Sequence, residues 1–129
     1  MTKILVVDDE EDLKILIKQR FRQKIRQKEY DFIFAENGKH ALQQLIEHQD
    51  VDLVLSDINM PEMDGLTLLS KLKEQNSILK SVIVSAYGDM ENIRTAMNRG
   101  AFDFITKPID FKDLEITIEK TIEHVEAVR

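Results

Sequence analysis

Four apolar runs in this 129-residue chain end on side chains that could do chemistry. Lys3-Ile4-Leu5-Val6-Val7 stops on Asp8-Asp9, and Val51-Asp52-Leu53-Val54-Leu55-Ser56 stops on Asp57. Val82-Ile83-Val84 stops on Ser85, and Phe102-Asp103-Phe104-Ile105 leads, two residues on, to Lys107. Brought to one point, three carboxylates would repel one another. At an effective dielectric near 20, two unit charges ~4 Å apart interact by about 4 kcal/mol, so such a cluster takes up a cation or protons. All-oxygen donors of this kind suit a hard, partly hydrated divalent ion, and Mg²⁺ accepts one or two carboxylates, a carbonyl and waters. A carboxylate can also attack phosphorus and carry an acyl phosphate. A nearby ammonium and hydroxyl would then neutralise and bind the equatorial oxygens. The set describes a phosphoryl-transfer site with Asp57 as nucleophile, the cation shared by the carboxylates, and Ser85 and Lys107 on the phosphoryl group.

Taken singly, none of these residues needs that chemistry. Asp8-Asp9-Glu10-Glu11-Asp12 is an acidic helix start favoured by the helix dipole. Asp57 reads as a turn-capping residue, Ser85 is unremarkable, and Lys107-Pro108 is a turn. Only their joint placement at four strand ends makes a site, so the elements between them decide the matter.

The run through Val51, Leu53, Val54 and Leu55 is nearly continuous and reads as a strand buried on both faces of a parallel sheet. Met60-Pro61 then forbids helix, and Asp64-Gly65 turns the chain. The other strands are the run to Val7, Phe32-Ile33-Phe34-Ala35 closed by Asn37-Gly38, the run to Ser85, and Phe102 to Ile105. Between them the apolar period is helical: Leu13, Leu16, Ile17, Phe21 and Ile25; Ala41, Leu42, Leu45 and Ile46; Leu66, Leu68, Leu69 and Leu72; Ile93, Ala96 and Met97, stopped by Gly100; and last Leu114, Ile118, Ile122 and Val125. Five strands alternating with five helices predict an α/β domain with a doubly wound five-stranded parallel sheet and helices on both faces. Right-handed crossovers favour the flavodoxin-like order 2-1-3-4-5, in which the first and third strands are neighbours and Asp8, Asp9 and Asp57 meet at one edge. No repeat, low-complexity tract or linker interrupts the chain, so residues 1–129 are expected to be a single domain.

The bulk composition narrows the partners. There is no cysteine, which leaves neither a disulfide nor a thiol nucleophile and fits a reducing compartment; the expected location is the cytoplasm, with no membrane partner. With 18 Lys+Arg against 24 Asp+Glu, the net charge of −6 argues against direct binding to nucleic acid. Lys14, Lys18, Arg22, Arg26 and Lys28 lie largely off the apolar stripe of the first helix, as a solvated outer face would.

The motifs together resemble the receiver domain of two-component response regulators over essentially the whole chain. The likeness lies in Asp8-Asp9, in Asp57 followed by Ile58-Asn59-Met60-Pro61 and Met63-Asp64-Gly65, in Ser85-Ala86, and in Lys107-Pro108. It implies that Asp57 is the phosphoacceptor, with a phospho-histidine of a sensor histidine kinase or histidine phosphotransfer protein as donor. Asp9, Asp57 and the backbone carbonyl of Asn59 would hold Mg²⁺, Asp8 acting mainly through a water. Ser85 and Lys107 would grip the phosphoryl group, and Lys107-Pro108 would be a cis peptide. Such a domain is a signalling switch that assists its own phosphorylation and dephosphorylation, not an enzyme acting on a substrate.

The same resemblance makes Ser85 and Phe104 a switch pair: the hydroxyl moves to the phosphoryl group and the ring turns into the vacated space. Asn59 and Tyr87 would tune the lifetime of the phosphorylated state. The surface of the fourth helix, fifth strand and fifth helix would meet a partner, an output domain or a second copy. Gly100-Ala101-Phe102-Asp103-Phe104 is closer to nitrogen-regulation receivers than to the Gly-Ala-Asp-Asp-Tyr form of winged-helix regulators, whose charged dimer face is therefore not expected. The Asp9 to Asp57 spacing is a few residues long, consistent with an extra turn ending near Lys28. The last helix runs through Val125 and Val128 without a stop, as if into a linker and an output domain beyond residue 129.

Three rivals share parts of the pattern. A haloacid-dehalogenase-like phosphatase would want a second aspartate two residues after Asp57, where this chain has Asn59. A flavodoxin-like FMN carrier needs a phosphate loop after the first strand, and Asp8 to Asp12 would repel the phosphate. A degenerate receiver used only for docking would lack site residues, and here all five positions are filled.

Overall fold

A computed structural model of the chain describes residues 1–58, 64–75, 79–86 and 88–128. Five strands, β1 (Thr2–Val7), β2 (Tyr30–Ala35), β3 (Leu53–Asp57), β4 (Lys80–Ala86) and β5 (Asp103–Lys107), form one sheet in the order β2-β1-β3-β4-β5. Every pair is parallel, as the near-continuous apolar runs predict. The helices are α1 (Glu11–Arg20), α2 (Arg22–Arg26), α3 (Gly38–Glu47), α4 (Gly65–Gln75), α5 (Met90–Asn98) and α6 (Phe111–Val128).

Alternate strand residues feed two cores. Ile4, Val6, Leu53, Leu55, Val82 and Val84 pack against Leu13 and Ile17 of α1 and Leu114 and Ile118 of α6. Leu5, Val7 and Val54 pack on the opposite face against Ala41 of α3 and Leu68 and Leu72 of α4. Fully burying an aliphatic side chain of this size stabilises by roughly 1.5–3 kcal/mol, and β3, at the centre, is buried along its whole length. A third cluster seats α5 on the sheet through Ile83, Leu69, Ala96 and Ala101.

The expected single first helix is two. At Phe21 the backbone leaves helical values (φ −103°, ψ 18°), and its ring packs 5.3 Å from Phe32 and 6.0 Å from Tyr30. Tertiary packing of one aromatic thus overrides a helical period that runs through it. The hydrogen-bond chain continues across the break, Phe21 N–H donating to Ile17 and its carbonyl accepting from Ile25 N–H. The extra turn is α2, and it ends in a Schellman-type closure. Glu29 N–H reaches the Lys24 carbonyl and Lys28 N–H the Ile25 carbonyl, with Lys28 in the left-handed region at φ 60°.

Other boundaries shift modestly. β5 starts one residue later than the apolar run and extends to Lys107, so the lysine belongs to the strand end itself. Asn37 closes β2 by capping α3, its side chain accepting from His40 N–H. Gly100, read as a helix stop, follows α5 at φ 103°. Among the described residues no helix is long and apolar enough to cross a membrane.

Candidate functional site

The register brings the strand ends level. Val7 pairs with Ser56, Asp57 with Val84, and Ala86 with Lys107. Asp8, one step beyond β1, Asp57, Ser85 and Lys107 therefore share the C-terminal edge of four adjacent strands, where open α/β sheets bind their ligands.

Asp57 is 6% exposed, held in the one strand with no solvent-facing side. Lys107 crosses the edge from β5 and donates to Asp57 Oδ2 at 2.8 Å. Its ammonium also lies 3.5 Å from Asp8 Oδ2 and 3.7 Å from Glu10 Oε1. Asp8 turns the chain toward α1, its Oδ1 accepting from Glu10 N–H at 2.8 Å. Among the described residues Asp8 Oδ2 is buried without a hydrogen-bond partner, and the Lys107 ammonium stands 3.5 Å from it. Asp8, Asp9 and Asp57 each offer a carboxylate oxygen within 4.8 Å of the others, and this cluster could hold a metal ion. A buried, unpartnered carboxylate oxygen in an all-oxygen set is the donor chemistry that a hard cation satisfies.

The electrostatics match. Burial pushes the Asp8 carboxyl above the usual aspartate range; Glu10 N–H and Lys107 pull it down, while Asp57 and Glu10 add repulsion. Burial alone would lower Lys107. The hydrogen bond and charge of Asp57, joined by the charges of Asp8 and Glu10, outweigh it and hold the ammonium above its ordinary value.

Ser85 is fully buried, and its hydroxyl donates to Asp89 Oδ2 at 3.3 Å. Phe104, on β5 opposite Ile83, is 37% exposed. The Lys107-Pro108 peptide is cis. Asn59 and Tyr87 lie outside the described residues. Gly65 packs so closely under the site that a Cβ there would meet the Asp57 carbonyl oxygen and come within 2.7 Å of Ile58 Cα.

Two contributors escape sequence reasoning. Glu10 reads only as part of an acidic helix start, yet its carboxylate faces Lys107. Asp89 stands four residues from Ser85 beyond a turn, and no periodic pattern there announces their contact.

The fold and site define a flavodoxin-like α/β domain with an acidic, metal-compatible centre at its sheet edge. A family model described as the response regulator receiver domain matches residues 4–119. The chain belongs to the receiver domains of two-component response regulators. It is 36% identical over 125 residues to transcriptional regulatory protein ZraR of Escherichia coli K12, covering 97% of this chain and 27% of that protein. NtrX from Brucella abortus, in complex with ADP, superposes with a TM-score of 0.87 at 32% identity, over 100% of this chain and 29% of that one. A response regulator receiver domain protein from Clostridium thermocellum gives a TM-score of 0.84 at 28% identity, over 100% of both chains. The chain spans about a quarter of the length of curated relatives such as ZraR, at 27%.

Proposed function

We propose that this domain accepts a phosphoryl group on Asp57 from a phospho-histidine of a sensor histidine kinase or histidine phosphotransfer protein, and signals by the change that follows. The observation carrying this reading is the 2.8 Å bond from Lys107 to Asp57 beside two further carboxylates. A carboxylate oxygen of Asp57 attacks phosphorus; the phosphorus–nitrogen bond of the donor breaks, its electron pair stays on the imidazole, and an aspartyl phosphate results. Lys107, already seated on Asp57, turns to an equatorial phosphoryl oxygen, and the Ser85 hydroxyl donates to another. Burial of Asp57 limits the water that would hydrolyse the product.

Asp8, Asp9 and Asp57, with the Asn59 carbonyl, would hold Mg²⁺, which when bound supplies neutralising charge for the transferred oxygens. Asn59 and Tyr87 tune the phosphoryl lifetime. Ser85 and Phe104 act as the switch pair and alter the face of α5, β5 and α6, which meets an output domain or a second copy. The donor approaches along the groove lined by Leu13, Leu16, Pro108, Ile109 and Phe111, which opens beside Lys107. Residues 1–129 act as one receiver domain in the cytoplasm.

Intact-mass spectrometry after incubation with Mg²⁺ and acetyl phosphate tests the reading. A gain of one phosphoryl mass, lost in Asp57→Ala and on chelation, is the expected result. No gain, together with no beryllofluoride binding, overturns it.

A further inference from the structure

Asp89 occupies the N-cap position of α5, where an aspartate ordinarily accepts from the second or third backbone N–H of its helix. It makes no such bond. Its Oδ2 instead accepts from the Ser85 hydroxyl at 3.3 Å and from the Asn92 side-chain amide at 2.9 Å. Two features give this arrangement consequence. Ser85 is wholly buried and has one proton, which is committed to Asp89. The carboxylate that accepts this hydrogen bond is diverted from capping the helix that follows.

We propose that Asp89 is a positioning residue with two alternative partners: it holds the Ser85 hydroxyl while Asp57 is unmodified, and caps α5 once Ser85 has turned to the phosphoryl group. This rests on the phosphoacceptor reading above and extends it by a direct link from site to helix. While the restraint holds, Ser85 must break a hydrogen bond to a charged acceptor before it can donate to the phosphoryl group, and this opposes the modified state. When it breaks, the carboxylate is free to accept from Glu91 or Asn92 N–H, and the first turn of α5 tightens. Asn92, three residues on, keeps the carboxylate within reach of both partners. The link needs no movement of the sheet. One acceptor changes donors, and α5 registers the event at its first turn.

The test is a double-mutant cycle on the full chain with Mg²⁺, reading both beryllofluoride affinity and phosphoryl uptake from acetyl phosphate. Asp89→Asn keeps a capping oxygen but removes the charge from the bond to Ser85, and is expected to strengthen beryllofluoride binding about 5-fold, the scale of about 1 kcal/mol between a charged and a neutral acceptor. In a Ser85→Ala background the same change should have no effect. Asp89→Ala removes the restraint and the later cap together, so its affinity should change by less than that of Asp89→Asn. The second readout is amide exchange at Glu91 and Asn92. Protection there should rise on beryllofluoride binding in the unchanged chain and in Asp89→Asn, and stay flat in Asp89→Ala.

Equal strengthening with and without Ser85 would mean that the Asp89 charge merely repels the anion, and overturns the proposal. So does unchanged exchange at Glu91 and Asn92. Failure of the unchanged chain to bind beryllofluoride or take up a phosphoryl group overturns the phosphoacceptor reading and this link with it. Binding that proceeds normally but ignores Asp89 overturns the link alone.

Discussion

Lys107 Nζ lies 2.8 Å from Asp57 Oδ2, although β4 stands between the strands that carry them. The lysine bridges a full strand width, and its partner is a buried carboxylate at the end of the central strand. Without its ammonium, Asp57 and Asp8 would lose their shared positive charge. Lys107→Met is therefore expected to lower metal-free stability by about 1 kcal/mol, a figure kept small because the lysine is partly solvated. Chemical denaturation in chelator measures it. Phosphoryl uptake from acetyl phosphate should fall about 100-fold, the scale for removing one oxyanion donor.

The same pair sets a pH dependence. The folded chain holds the Lys107 proton above the ordinary value of 10.5. Its stabilising contribution is thus complete below pH 10.5 and is lost as pH rises through the raised value. Thermal midpoints measured from neutral pH to about pH 11.5 should fall more steeply in the unchanged chain than in Lys107→Met. Lys3 and Lys24 also titrate high, but they are present in both proteins and cancel in the difference.

Asp8 is raised as well, but its window lies at low pH. Its carboxyl is raised, so the stabilisation it offers exists below 3.8 and is lost as pH rises through the folded value. At neutral pH the charged, partly unsatisfied carboxylate works against the fold, and a divalent cation should relieve it. Mg²⁺ at ten times its dissociation constant is expected to stabilise the chain by about 1.4 kcal/mol. Asp8→Asn should lose most of that increment, read as the Mg²⁺-dependent shift of the thermal midpoint.

Lys28 holds φ 60° where the α2 closure favours glycine. Lys28→Gly is expected to stabilise the chain by about 0.5–1 kcal/mol by removing the Cβ clash of the left-handed region. Urea denaturation would show a higher midpoint at unchanged slope; a lower midpoint would mean that lost unfolded-state restriction dominates.

Gly65 has the reverse sensitivity. A Cβ there would meet the Asp57 carbonyl oxygen, so Gly65→Ala must push α4 away from the end of β3. We expect a loss of about 2–3 kcal/mol and weaker beryllofluoride binding, because the displaced backbone carries Asp57 itself.

Much of this was legible in the chain. A parallel sheet requires strands apolar on both faces, and the runs ending on Asp8, Asp57 and Ser85 have that character without reference to distant residues. Helical periods between them fix the crossovers, and right-handedness leaves an order in which β1 and β3 are neighbours. The acid cluster followed from that topology, and the motifs that tie the chain to receiver domains stand in the residues themselves.

Contacts that depend on side-chain reach were decided only by the tertiary structure. The break at Phe21 arises because its ring is drawn to Phe32 and Tyr30, and no local propensity encodes that choice. Glu10 joins Lys107 through a turn set by the Asp8 carboxylate. Asp89 accepts a hydrogen bond from the Ser85 hydroxyl instead of capping α5, a choice between two acceptor roles open to the same residue type. Periodicity records which face of an element is buried. It carries no information on which of several polar partners a buried hydroxyl or carboxylate selects, because that depends on distances across the fold.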